Sequence, residues 1–361
     1  MIPMNRCSRT ISILGAVLSL SSATLRAEVF EFAAFITGAC AGSGQPQKAW
    51  GSFNLDTSTS IVTFRIDWDA SIQPNFAHVH GPINDACTEA GNGPIIYDLP
   101  FGMNPMIGSV LLPPVEVQSM LAGRHYANFH SSDFPTAHAS GQLVPVTKNR
   151  FLSVVPSATA ATSTAATQAI RVVLDSLHHP SPGYSGGPVT DFTAFEGEVR
   201  WLGPPQSVAD RPASKGSFWG SQLQCTPHFM DWKGFAGIVQ IYGAEVIPSS
   251  KYEIQFADDT CADLADPACY NEPMKVRTAR WADVTTPYAD YGNNQPNFQD
   301  VTALVDTFKG TPMSIGIPRA LLQPNVATPN TAQINFANVS LAVGAFQGKP
   351  YPYAGPSHCG P

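Results

Sequence analysis

The clearest hydropathy pattern in this chain lies between Ile61 and Trp68. Val62, Phe64, Ile66 and Trp68 alternate with Thr63, Arg65 and Asp67, the period of a strand with one buried face. Similar runs predict strands at Val29–Phe35, Ala49–Leu55, Ile95–Leu99, Ser109–Leu112, Tyr126–His130 and Ser140–Val144. Phe76 to His80 reads as one more strand, closed at once by Gly81-Pro82. A set of about eight strands suits an antiparallel sandwich or barrel. Only Val115–Leu121, stopped by Gly123, looks helical within this block.

Beyond it, strands are expected at Arg150–Val155, Ala169–Leu177, Glu196–Trp201, Ser217–Leu223, Gly237–Tyr242 and Tyr252–Ala257. Ser157–Gln168, rich in Ala, Thr and Ser, reads as a loop or an interdomain linker. The pattern then changes. Asn297–Gly310 and Asn335–Gly348 both fit N-F-x-[DN]-V-[ST]-x-x-V-x-x-F-x-G, an internal repeat of one short helix each. Asp300 or Asn338 would be the N-cap, Val301, Leu304, Val305 and Phe308 the apolar stripe, and Gly310 the stop. The fold class is therefore mainly β: an antiparallel unit over 28–147, a second β-rich unit over 148–288, and a small helical pair over 289–361.

Composition supports many short strands joined by turns, with 29 Gly, 32 Pro and only 13% charged residues. Residues 1–27 have the build of an export leader: Arg6 and Arg9, an apolar run from Ile11 to Leu20, then small residues up to Ala27. The run is too short to span a bilayer, and no later stretch is longer, so no transmembrane anchor is expected in the mature chain. Loss of Arg6, Arg9 and Arg26 takes the formal charge from −7 to −10. That acidity argues against nucleic acid and anionic membranes as partners. Cys40, Cys87, Cys225, Cys261, Cys269 and Cys359 remain, an even number that suits disulfides in a secreted, periplasmic or cell-surface protein. The preferred pairing is Cys40–Cys87, Cys261–Cys269 and Cys225–Cys359.

Several motifs in order resemble the CHRD (chordin-type) domain: Phe32 to Ala41, A-H-V-H-G-P at Ala77–Pro82, and N-G-P-I-I at Asn92–Ile96. They continue with L-A-G-R-H-Y-A-N-F-H at Leu121–His130 and S-G-Q-L at Ser140–Leu143. Thr136 to Ser140 replaces the charged run usual before the last motif, and Asn84–Ala90, with Cys87, is an insertion. The resemblance implies an antiparallel β-domain of exported or surface proteins, without a defined biochemical role. The helical repeat resembles degenerate dockerin helices, and the region from Arg150 onward resembles uncharacterised exported proteins of planctomycete-like bacteria. The runs before Asp300 and Asn338 lack carboxylates at alternate positions, which argues against calcium.

The candidate chemistry is a histidine set. His78 and His80 share one strand face, and His130 sits on a strand that could be adjacent. Three neutral imidazoles converging on one point can hold copper or zinc; histidines hydrogen-bonded across neighbouring strands would leave the same sequence trace. Cu/Zn superoxide dismutase also carries an H-x-H pair on a β-sandwich, but its bridging His and metal-binding Asp have no match here. His125 and His138 could extend the set. Gly183-Tyr184-Ser185-Gly186-Gly187 fits G-x-S-x-G, but the flanking Pro180, Pro182 and Pro188 make it loop rather than nucleophile elbow. Asp258, Asp259, Asp263 and Asp266 read as solvated charge around a disulfide loop. Phe218, Trp219, Phe229, Trp232 and Phe235 read as packing groups or a sugar-binding face. No catalytic set assembles. The expectation is a non-enzymatic binding or structural protein without a resident cofactor, facing an extracellular protein or polysaccharide. The alternative is a copper or zinc metalloprotein built on His78, His80 and His130.

Overall fold

The structure is a computed structural model that describes residues 29–46, 48–68, 74–83, 86, 93–100, 102–147, 150–177, 193–213, 216–235, 237–285, 296–312, 314–324, 334–353 and 355–359. The expected leader, Cys87 and the Gly183–Gly187 motif lie outside these residues.

The alternation at Ile61–Trp68 does what its period requires. Val62, Phe64 and Ile66 are buried, while Ile61, Thr63 and Arg65 face out. This strand is β3 of a series: β1 (Val29–Thr37), β2 (Lys48–Asp56), β3 (Ile61–Trp68), β4 (Phe76–His80) and β5 (Ile95–Asp98). After these come β6 (Met106–Leu111), β7 (Tyr126–His130), β8 (Ala139–Gln142) and β9 (Val144–Thr147). Two helices interrupt them, α1 (Gly38–Ala41) and α2 (Pro114–Leu121). The spatial order is β6-β3-β2-β1-β8-β7-β4-β5, and every neighbouring pair is antiparallel. Phe32, Ile36, Phe53, Phe64, Val79 and Phe129 belong to one apolar core, joined by Val117 and Met120 of α2. Side chains of this size contribute about 1.5–3 kcal/mol each when fully buried. The single strand expected at Ser140–Val144 is broken at Leu143, and its continuation as β9 runs along β1.

The remaining strands are β10 (Leu152–Val154), β11 (Gln168–Leu177), β12 (Val199–Leu202), β13 (Gln206–Ala209) and β14 (Ser217–Ser221). They are followed by β15 (Leu223–Gln224), β16 (Val239–Ile241), β17 (Ser250–Asp258) and β18 (Met274–Thr278). β15-β12-β11-β17-β18 continue the first sheet through a parallel pair, Arg277 beside Val146 and Thr278 beside Thr147. A second sheet has the order β10-β16-β14-β13. The segment read as a loop from Ser157 begins inside a short helix, α3 (Pro156–Thr159), which leaves Ala160 buried.

Helices α4 (Phe298–Lys309), α5 (Ile317–Ala320) and α6 (Phe336–Phe346) complete the chain. Leu304 of α4 and Val339 and Ala342 of α6 share a core with Ile170, Trp232, Ile254 and Trp281. The caps differ from expectation. Asn297 and Asn335 are the N-caps, accepting from the backbone N–H groups of Gln299 and Ala337. Asp300 stands three residues inside α4 as the second half of a capping box, its Oδ2 accepting from Asn297 N. The buried stripe is Leu304 with Val301 and Val305; Phe308 is 39% exposed. Gly310, at φ 71°, ends α4 in the left-handed conformation that favours glycine.

Two of the expected disulfides are present, Cys225–Cys359 and Cys261–Cys269. Cys40 is also disulfide-bonded; Cys87, its expected partner, lies outside the described residues. No helix among the described residues is long and apolar enough to cross a membrane.

Candidate metal centre

The histidine set is produced by strand register. β4 and β7 pair so that Phe76 lies opposite His130, His78 opposite Asn128, and His80 opposite Tyr126. Ala77, Val79, Ala127 and Phe129 of these strands enter the apolar core. The alternate residues must then face the other side of the sheet, which gathers His78, His80 and His130 on one outer face. One ring nitrogen from each lies within 4.8 Å of the other two.

The hydrogen bonds fix which nitrogens these are. His80 Nδ1 lies 2.9 Å from the carbonyl oxygen of Gly93, and His130 Nδ1 lies 2.8 Å from that of Pro135. A carbonyl only accepts, so both Nδ1 atoms carry the proton and both Nε2 atoms present a lone pair. His80 Nε2 is buried and has no hydrogen-bond partner. On His78, Nε2 lies 3.5 Å from Asp98 Oδ1, the residue opposite it on β5, and Nδ1 lies 3.1 Å from His130 Nε2. Because His130 Nε2 is an acceptor, His78 donates to it when its proton is on Nδ1; with the proton on Nε2, toward Asp98, His78 Nδ1 is free as a ligand. A cation at this point would take both lone pairs and replace that hydrogen bond.

A tetrahedral ion with 2.0–2.1 Å bonds to nitrogen sets its ligand atoms about 3.3 Å apart. The His78–His130 pair is already near that spacing, and the His80 ring has to swing inward to complete it. His80 and His130 each have a carbonyl acceptor on the far nitrogen, the outer arrangement that orients histidine ligands in metal sites, and His78 Nε2 lies 3.5 Å from Asp98. His78 and His80 are also shifted toward the neutral form. Burial, then the nearby His130, pushes His78 below its ordinary pKa, against a smaller pull from Asp98. Burial likewise lowers His80, opposed by its bond to Gly93. His80 stacks on the buried Tyr126 at 5.1 Å, and the exposed Phe76 lies parallel to His78 at 6.3 Å.

The turn after His80 explains its own sequence. A Cβ on Gly81 would meet His125 Cδ2 at 2.7 Å and the Arg124 carbonyl oxygen at 2.8 Å. A Cβ on Gly93 would sit 3.1 Å from Gly81 N. Glycine at both places lets the two loops touch, with Gly81 N donating to Pro94 O at 3.2 Å. That contact brings the Gly93 carbonyl under His80.

His125 and His138 do not extend the set. His125 is fully buried with Nε2 3.0 Å from Glu116 Oε2, and His138 Nδ1 lies 3.0 Å from Ser131 Oγ. Asp258, Asp263 and Asp266 accept from the N–H groups of Thr260, Ala265 and Ala268 in local turns. Of the aromatics, Phe218 and Trp232 are buried, while Trp219 and Phe229 are each 39% exposed. Asp98 and the carbonyls of Gly93 and Pro135 were not foreseen. Asp98 could have been found from the pairing of its strand with the His78 strand; backbone carbonyls leave no residue-type signal.

An antiparallel β-domain with an imidazole trio on its outer face is the class that fold and site define. Residues 32–143 match the CHRD domain model, which covers β1 to β8 and all three histidines. The match ends at Leu143, so the dockerin-like and planctomycete-like resemblances of the C-terminal part draw no support from it. No curated protein and no solved structure matches the chain.

Proposed function

We propose that this is an exported, non-enzymatic binding protein whose CHRD domain holds one copper or zinc ion through His78 Nδ1, His80 Nε2 and His130 Nε2. The observation that supports the reading is the convergence of one ring nitrogen from each of His78, His80 and His130 within 4.8 Å, with carbonyl acceptors on the far nitrogens of His80 and His130. An all-imidazole donor set suits zinc and copper, whereas calcium and magnesium favour oxygen ligands. Three protein ligands leave a fourth position for water or a partner's donor atom. No second cluster of this kind occurs among the described residues, which favours a single ion over the two-metal arrangement of the dismutases. Export is supported by the Cys225–Cys359 and Cys261–Cys269 disulfides, which persist in oxidising compartments.

The test is metal analysis of the full chain purified without chelator, followed by zinc and copper titration. The expected result is one ion per chain, lost in His78→Ala/His80→Ala. A chain that binds neither ion, or a double variant that binds as well as the wild type, would overturn the reading. Turnover of a defined substrate that depends on these histidines would overturn its non-enzymatic part.

A further inference from the structure

We propose that two copies of this chain associate by antiparallel pairing of β6 with β6 of the second copy, about a twofold axis at Ser109. Among the described residues, the open ends of the two sheets are β5, β6, β10, β13 and β15. An open strand is a template for another strand, and proteins protect it by brevity, charge or proline. β15 has two residues, β10 three, β5 and β13 four each, and β5 ends on the exposed Asp98. β6 is the longest at six residues, Met-Ile-Gly-Ser-Val-Leu, with no charge and no proline. It carries Ile107 at 62% and Leu111 at 68% exposure, with Ile61 at 38% beside Leu111 on β3. Among the described residues, the least protected edge is thus also an apolar one.

The backbone sets which registers are possible. Leu112 N donates to Ser60 O at 2.9 Å, so N–H groups of that parity point toward β3. Those of Ile107, Ser109 and Leu111 point the other way, to the open side. Centring the pair on Ser109 makes Ile107 face the second copy's Leu111 on both sides of the axis. Each facing pair then exchanges two hydrogen bonds while its side chains meet on the outer face. The one nearby cation, Arg65 beside Ile107, is already held by Asp67 through two 2.9 Å contacts, so no unpaired like charges confront each other. A strand free of charge whose apolar residues pair with one another across a twofold axis fits a second copy of itself.

Sedimentation of the full chain over a concentration series tests this. The wild type is expected to form a dimer. Ser109→Pro deletes an N–H that faces the second copy and none that faces β3, so it should give a monomer with unchanged melting. Ile107→Lys, on the exposed face, should weaken association by roughly tenfold or more. Ser109→Cys should form an interchain disulfide on oxidation and Ile107→Cys should not, because only position 109 lies opposite itself. A wild type that stays monomeric throughout overturns the proposal, whether or not β6 takes up an extended peptide of another protein. So does a dimer that survives both Ser109→Pro and Ile107→Lys, and so does cross-linking at position 107 in place of 109.

Discussion

Two polar centres in this molecule make an instructive pair. Asp300 in the helical repeat is fully buried, and its carboxylate accepts from Val284 N, Thr285 N, Thr285 Oγ1 and Asn297 N. Nothing on it is left unmatched. The other helix repeats the device at a spacing of sixteen residues, Leu322 N donating to Asn338 Oδ1 as Val284 N does to Asp300 Oδ1. The histidine trio is the opposite case. The Nδ1 protons of His80 and His130 go to carbonyl oxygens, His130 Nε2 meets His78 Nδ1, and His80 Nε2 is buried without a partner. A buried polar group with every partner in place stabilises the fold. Converging ring nitrogens, one of them buried without a partner, are what the proposed ion would satisfy.

The contrast predicts that the first centre responds to mutation and the second to metal. The largest effect should come from Asp300→Ala, which strands several buried N–H groups at once. It is expected to cost about 3–5 kcal/mol in urea unfolding of the full chain, with or without added zinc. An effect below about 1 kcal/mol would erase the contrast. Next, an ion at a hundredfold excess over its dissociation constant should stabilise the wild type by about 2.7 kcal/mol, and His78→Ala, His80→Ala and His130→Ala by much less. Calorimetry with and without chelator reads this directly. An Asp300→Ala chain that still folds should keep the metal response.

Asp98→Asn sharpens the comparison within the site. Its carboxylate lies on the surface 3.5 Å from His78 Nε2; as the outer partner of a metal-bound His78, its loss should lower metal affinity roughly 10- to 100-fold with little change in apo stability. Equal losses in both measurements would make Asp98 merely structural. The smallest effect concerns pH. His78, His80, His125 and His138 are all pushed below their ordinary value of 6.5, chiefly by burial. The unfolded chain then takes up protons that the folded chain refuses, so their stabilising contribution is complete above pH 6.5 and is lost as pH falls below it. Apo stability should therefore decline between about pH 7.5 and 5, and His125→Gln should flatten part of that slope.

Much of this was legible in the chain because strand periodicity is local. Ile61–Trp68 and Tyr126–His130 have the bounds their alternation predicts, and the shared face of His78 and His80 follows from the same rule. The meeting with His130 depends on a register between strands 52 residues apart, which no local pattern encodes. β13 and β18 escaped notice for another reason. Gln206–Ala209 and Met274–Thr278 are short, polar on one side, and set between prolines and turns. At the helices, Asn297 was overlooked because Asp300 is also a good capping residue. A capping box uses both, and sequence does not say which role each takes.

The register of β4 against β7 has one more consequence. Because side chains alternate faces, a slip of one residue would send all the histidines of one strand into the core and bring Ala77 and Val79, or Ala127 and Phe129, to the surface. After such a slip the three rings no longer share one face. The proposed ion would be captured at all three nitrogens only after two strands distant in sequence have found their native alignment, which would make loading a late event in folding. Metal uptake would then serve as a proofreading signal, marking the molecules whose sheet has closed correctly.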